Sequence, residues 1–283
     1  MPDVLYIHPA KHGVDSSYRG LGTPYFLMPV GVIALANLLQ WEGLTVRGIN
    51  YPAELRRGRN FELRPWIEAQ EGVRLVMVDL HWYEHAYGAI SVARACRQAL
   101  PDAHILLGGI TASLYAAEIL RSFPEVDFII RGDAEQPLQA LATELCPVTG
   151  HRTGQRQSPD LSSIPNLSYR SNGQVVENEL SYCATSANLD GLNFVDLDFL
   201  EHADWYGALQ FEPTSLTLSR TNPRGHWLCL GRGCLFDCSF CGGGRESHRT
   251  FAGRQTITLR STENLSDDIQ RLEEKGIDQV SLA

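Results

Sequence analysis

Through the first 145 residues, short runs of continuously apolar residues alternate with stretches in which apolar positions recur every three to four residues. DVLYIHP (3–9), TVRGIN (45–50), VRLVMVDLHW (73–82), HILLGG (104–109) and VDFIIRG (126–132) read as five strands. PVGVIALANLLQWEG, closed by Gly43, reads as a helix, as do AYGAISVARACRQAL, SLYAAEILRSF and QPLQALATEL. A run such as VRLVMVDLHW carries apolar residues on both alternating faces, which suits a strand covered on both sides of a parallel sheet. Strand and helix in alternation predict a doubly wound α/β domain over residues 1–146.

The pattern changes at CPVTGHRTGQRQSPDLSSIPN, which has no helical period and is rich in Ser, Thr, Gly and Pro. Residues 147–214 therefore read as a linker. It carries a hairpin in LSYRSNGQVVENE, turned at Asn172-Gly173, a pair suited to a two-residue turn. LDGLNFVDLDFLEHADWY is expected to pack against the edge of the next domain. From residue 215 the apolar pattern resumes: Leu216–Ser219 approach a strand HWLCLG, and a short strand, a helix in LSDDIQRLEEKG and a strand IDQVSLA follow the cysteines.

Composition narrows the class. The chain has 283 residues, 43% of them hydrophobic, and a formal net charge of −9. Its arginines are scattered, which argues against a nucleic-acid partner. No run approaches the roughly 20 apolar residues of a membrane span, and no secretory leader pattern opens the chain, so a cytoplasmic protein with no membrane partner is expected. Seven cysteines, four of them within Cys229–Cys241, suit thiolate ligation in a reducing compartment better than a disulfide framework. Cys96, Cys146 and Cys183 read as packing or incidental thiols.

In such sheets ligands bind beyond the carboxyl ends of the strands. Gly108-Gly109 stands there and fits either a tight turn or a close ligand approach. DLHWYEHAYG gathers Asp79, His81, Glu84 and His85, which can be read as a metal site or an acid–base group; without a partner motif they are read as solvent-exposed polar residues.

CLGRGCLFDCSFCGGG (229–244) spaces its last three cysteines as Cys234-x3-Cys238-x2-Cys241. Zinc, an iron–sulfur cluster and unligated thiols are the three readings. A structural zinc wants four ligands with no open position, and Cys229, on a strand, is poorly placed to be the fourth. Three thiolates on one glycine-rich loop instead suit a four-iron cluster with one iron open.

RGCLFDCSFC resembles the signature of the radical S-adenosylmethionine superfamily, with Phe240 in its aromatic place and Arg232-Gly233 before Cys234 as in its cobalamin-binding branch. Gly108-Gly109-Ile110-Thr111-Ala112-Ser113 and DFIIRGDAE resemble that branch's N-terminal segments, with Asp133 in place of a usual Glu and Glu135 matching. The resemblance implies a Rossmann-like (flavodoxin-like) cobalamin-binding domain followed by the start of a partial (β/α)6 barrel over residues 215–283. It implies a 4Fe-4S cluster on Cys234, Cys238 and Cys241, and S-adenosylmethionine near Phe240, Gly242 and Gly243. Cobalamin contacts are implied at Pro9, His81, Gly108, Gly109, Thr111, Gly132 and Glu135. The implied chemistry is reductive cleavage of S-adenosylmethionine to a 5′-deoxyadenosyl radical, for methyl transfer to carbon. Rearrangement, cyclisation or oxidation is the alternative, or a non-catalytic corrinoid-binding fragment. A zinc-bearing interaction protein is the reading outside that family. A flavodoxin or ferredoxin reductant and a small-molecule or peptide substrate are the implied partners.

Two departures are visible. HPAKHG does not spell the Asp-x-His-x-x-Gly motif of histidine-ligated cobalamin, and in DLHWYE Glu84 stands where its glycine is needed, so cobalt without a protein ligand is the expectation. The barrel pattern stops after its second strand, so the chain is expected to be a fragment or truncated product without turnover.

Overall fold

The computed structural model describes residues 1–14, 26–58, 60–146, 160–210 and 223–283. The expected linker core at 147–159 and the strand approach at Leu216–Ser219 lie outside them.

Five parallel strands form the centre: β1 Val4–His8, β2 Val46–Asn50, β3 Leu75–Asp79, β4 His104–Gly108 and β5 Phe128–Ile130. Their spatial order is β2-β1-β3-β4-β5, so the chain reverses direction across the sheet between β1 and β3. This is the doubly wound arrangement that the alternation predicts, in the flavodoxin-like order that the resemblance implies. All residues of β1 and β3 are buried, as their unbroken apolar runs require.

Helices α1 Val30–Trp41, α2 Tyr51–Arg57, α3 Leu63–Glu68, α4 Ala86–Ala99, α5 Ile110–Leu114, α6 Ala116–Ser122 and α7 Glu135–Leu145 clothe the two faces. On one face Leu5, Ile7, Val76, Val78, Ile105 and Leu107 pack with α3, α4 and α6. On the other, Val4, Tyr6, Met77, Leu106 and Ile130 meet α1 and α7. The alternation of these two sets along each strand is the two-residue side-chain period of a strand. The predicted helix over SLYAAEILRSF is broken at Tyr115 into α5 and α6.

The hairpin β6 Leu167–Ser171 and β7 Gln174–Glu177 turns at Asn172-Gly173, both with positive φ (50° and 77°), as a two-residue turn of this type demands. It does not stand apart in a linker. β6 pairs antiparallel with β5 and extends the sheet to seven strands. After α8 Ser186–Asp190, the aromatic segment packs on the next domain's edge as expected, with Phe194 against Cys229 and its carbonyl 2.9 Å from His226 Nε2, and with Asp196 paired to Arg271 and Lys275. It also covers β2, where Gly48 donates to the Phe199 carbonyl and accepts from Glu201. The free edge of the first sheet is thereby protected.

α9 Ala203–Leu209 leads toward a smaller unit. There β8 Gly225–Leu228 pairs in parallel with β11 Gln279–Leu282, and β9 Gly231–Arg232 pairs antiparallel with β10 Thr258–Leu259. α10 Arg245–Ala252 follows the cysteines and α11 Thr262–Glu274 precedes β11. Ser261 caps α11 by accepting from Asn264. Among the described residues, no helix is long and apolar enough to cross a membrane.

Candidate functional site

The carboxyl ends of β1, β3, β4 and β5 open into a cavity of about 480 Å³, within the range of small-molecule sites. Its inner wall is apolar, built by Met28, Val32 and Leu35 from the α1 side, Met77, Leu106 and Ile130 from the sheet, and Leu138 from α7. The smaller unit closes it with Trp227, Arg232, His248 and Phe251. His81, Gly108, Gly109, Gly132 and Glu135 line it; Pro9 and Thr111 do not. Thr111 donates its hydroxyl to the His81 carbonyl at 2.9 Å, which ties the β4 loop to the β3 loop.

The glycines of this rim differ in purpose. A Cβ on Gly108 would meet nothing within 4 Å. Gly109 has φ +105° and a Cβ there would stand 2.8 Å from the His81 backbone, so close packing of two loops fixes it as glycine. Gly132, φ +69°, is pressed against Ala252 of α10, with 2.6 Å from an added Cβ to its Cα. Ser113 donates to the Gly109 carbonyl and accepts from the Gly132 amide, joining the β4 and β5 loops.

The acidic pair after β5 reaches across to the smaller unit. Arg232 donates to Asp133 at 3.0 Å and also to Glu135. Arg254 donates to the other Asp133 oxygen, which also accepts from the Ala184 amide at 2.7 Å. Burial acts to raise the Asp133 pKa, but the two guanidiniums and these hydrogen bonds outweigh it and hold the carboxyl below its ordinary value. Burial opposes the Arg232 charge, yet Glu135 and Asp133 together raise its pKa. Glu135, expected at cobalamin, is thus also a partner of the arginine two residues before Cys234.

Gly233, φ +99°, turns the chain from Arg232 into the cysteine loop. Cys234 is half-buried, while Cys238 and Cys241 are exposed. Phe240 is 91% exposed, with Leu235 and Phe236 also turned outward. Gly243 packs near Ile110 and Cys241, and Gly242 is open. Asp237 accepts from the Glu246 amide and from Arg245, which anchors the loop to α10. Cys229 lies just past β8 rather than within it, buried beside Ala34 and Phe194, and burial raises its thiol pKa.

Three thiolates of a zinc site, with bonds of about 2.3 Å, would stand about 3.8 Å apart. Among the described residues, the one triad of potential ligands within 4.8 Å is His8, Asp79 and His85. The three loop thiols do not all lie within 4.8 Å of one another. Three thiols on one loop without a fourth are the donor set that a four-iron cluster with one open iron would take.

The residues of DLHWYEHAYG correct the expectation of exposed polar groups. Asp79 and His85 are buried with His8, and Glu84 alone of the four is exposed. Asp79 accepts from Tyr6 at 2.6 Å and faces His8 Nδ1 at 2.9 and 3.1 Å from its two oxygens. Burial acts to raise the Asp79 carboxyl, but His8 and Tyr6 outweigh it and lower its pKa. Burial pushes His85 down to about 4 and also lowers His81 and His248. His8 was missed in the sequence, since it lies 71 residues from Asp79.

Residues 22–142 match the family model of the B12 binding domain. The chain is 25% identical over 252 residues to a hopanoid C-3 methylase of Methylococcus capsulatus, covering 89% of this chain and 41% of that protein. It is 21% identical over 239 residues to an anaerobic magnesium-protoporphyrin IX monomethyl ester cyclase of Cereibacter sphaeroides, covering 84% of this chain and 34% of that protein. A Synechocystis protein of the same description matches at 22% over 146 residues, 52% of this chain and 24% of that one. The chain thus spans about two fifths or less of the curated relatives it matches.

Proposed function

On the premise of a B12-binding first domain, we propose that this chain is the cobalamin- and cluster-binding portion of a cobalamin-dependent radical S-adenosylmethionine enzyme whose reaction is methyl transfer to carbon. One observation carries the reading: Arg232, on the approach to Cys234, is clamped by Asp133 and Glu135 at the rim of the B12-side cavity. The cavity and the cysteine loop therefore share one wall, as two cofactors acting on one substrate need.

Gly108, whose missing side chain leaves open space, and the apolar wall of Val32, Met77 and Leu106 would hold the corrinoid. Cys234, Cys238 and Cys241 would ligate three irons, and Phe240 with Gly242 and Gly243 would meet S-adenosylmethionine. When bound, these groups supply one-electron cleavage of a sulfonium and a methyl carrier. The chain's own residues orient them: Gly233 sets the loop's direction, Asp237 pins it to α10, and Trp227 and Phe251 shield the cavity from water. A flavodoxin- or ferredoxin-type carrier would deliver the electron to a cytoplasmic enzyme acting on a small molecule or peptide. The matches to cyclases favour a second reading, radical cyclisation or oxidation with the same cofactors.

Anaerobic reconstitution tests the proposal. About four iron and four sulfide per chain are expected, lost together in Cys238→Ala, with hydroxocobalamin bound at micromolar protein. Stoichiometric zinc without acid-labile sulfide would overturn the cluster half, and no corrinoid binding the other half. Methylated against cyclised product, assayed with the complete enzyme, separates the two reactions.

A further inference from the structure

The last residues of β1 and β3, His8 and Asp79, meet where the strand order reverses, and His85 at the start of the following helix joins them. His8 and His85 are fully buried and Asp79 is 4% exposed. A buried charge must be paired or must hold a cation. The pairing of Asp79 with His8 does not complete this cluster. His8 Nδ1 lies 2.9 Å from the Asp79 carboxylate, yet its Nε2 is buried with no hydrogen-bond partner. Among the described residues, His8 Nδ1 and the Tyr6 hydroxyl are the side-chain hydrogen-bond partners of the Asp79 carboxylate.

The distances also suit ligation. One donor atom from each of His8, Asp79 and His85 lies within 4.8 Å of the others. We propose that His8, Asp79 and His85 form a binding site for one divalent first-row transition ion, of the two-histidine, one-carboxylate type. The Tyr6 hydroxyl, donating to Asp79, orients the carboxylate from outside the metal's own ligands. Lys11, whose charge bears on His85, is paired with Glu84 at 3.5 Å. Tyr6 and Asp79 also line the cavity at the carboxyl ends of the strands, so the triad borders it at the carboxylate. The site is separate from the cysteine loop and does not depend on the corrinoid or cluster reading.

The test uses the full chain with Cys234, Cys238 and Cys241 replaced by serine, free of corrinoid, so that the cluster ligands take up no metal. It is analysed by mass spectrometry as purified, and after chelation and anaerobic reloading with Zn2+ or Fe2+. About one ion per chain is expected, with X-ray absorption showing a nitrogen and oxygen shell that includes imidazole. His8→Gln and His85→Gln should each weaken binding at least about tenfold. Uptake of neither ion, a sulfur-containing shell, or binding unchanged in both variants overturns the site. Should the variants fail to fold, the ligand shell of the chain with both histidines intact decides the question alone.

Discussion

Gly108 and Gly109 are neighbours with opposite tolerances. A side chain on Gly108 would grow into open space, and its backbone is not in the left-handed region. Gly108→Leu is therefore expected to change stability by no more than about 0.5 kcal/mol while filling the cavity and weakening hydroxocobalamin binding at least about tenfold, or about 1.4 kcal/mol. Gly109→Ala meets both a φ of +105° and the His81 backbone. It is expected to lose about 1–3 kcal/mol in urea unfolding. Equal stability loss in the two variants would show that Gly108 is a packing glycine after all. The sequence presents both residues alike, because the contact that separates them comes from a loop nearly thirty residues away.

At the scale of elements, the contact that matters most is the one between the β5 loop and β9. Arg232 serves two carboxylates that are each nearly buried. Arg232→Met should cost about 3–5 kcal/mol, because Glu135 would keep only a long contact from Tyr182. Arg232→Lys should fall between, since an ammonium cannot fork to both acids. Adding Glu135→Gln to Arg232→Met should restore part of the loss. Hydrogen exchange should rise first in Cys229–Ala252; unchanged exchange there would mean the clamp does not hold the cysteine loop. Much of this scale was legible beforehand. The five strands show as apolar runs and the hairpin as Asn172-Gly173, and the cysteine motif stands out by spacing alone. The clamp's two ends were both noticed as motif residues, but they lie about a hundred positions apart and nothing local pairs them. α2 and α3 escaped because each is under two turns and carries a proline in place of a repeating apolar period. α10 escaped because it follows a glycine run and is polar over most of its length. His8 read simply as the end of a strand, and its pairing with Asp79 exists only once β1 lies beside β3.

Taken whole, the molecule is two unequal units whose facing walls each present an imidazole: His81 from the β3 loop and His248 from α10. Burial lowers the pKa of both, and each also answers to its surroundings. Asp79 favours the charged form of His81 while His248 and His8 oppose it; Asp133 favours it in His248 while Arg254 and Arg232 oppose it. His226, buried on β8 and bonded to the Phe194 carbonyl, is lowered chiefly by burial as well. The sign follows from proton counting. Between the ordinary value of 6.5 and the lower folded values, the unfolded chain binds protons that these three imidazoles, and His85 at about 4, refuse. Unfolding then takes up protons, so stability falls as pH drops through that window and is regained above it. Charging His81 and His248 together would also set like charges on opposite walls of the cavity, beside Arg232 and Arg254. Acid should therefore loosen the contact between the units before it unfolds the first sheet. The melting temperature is expected to fall between pH 7.5 and 5.5, and hydrogen exchange at pH 5.5 to rise in α10 ahead of β1 and β3. His248→Gln should flatten part of that dependence; a slope as steep in the variant as in the parent chain would place the acid sensitivity elsewhere.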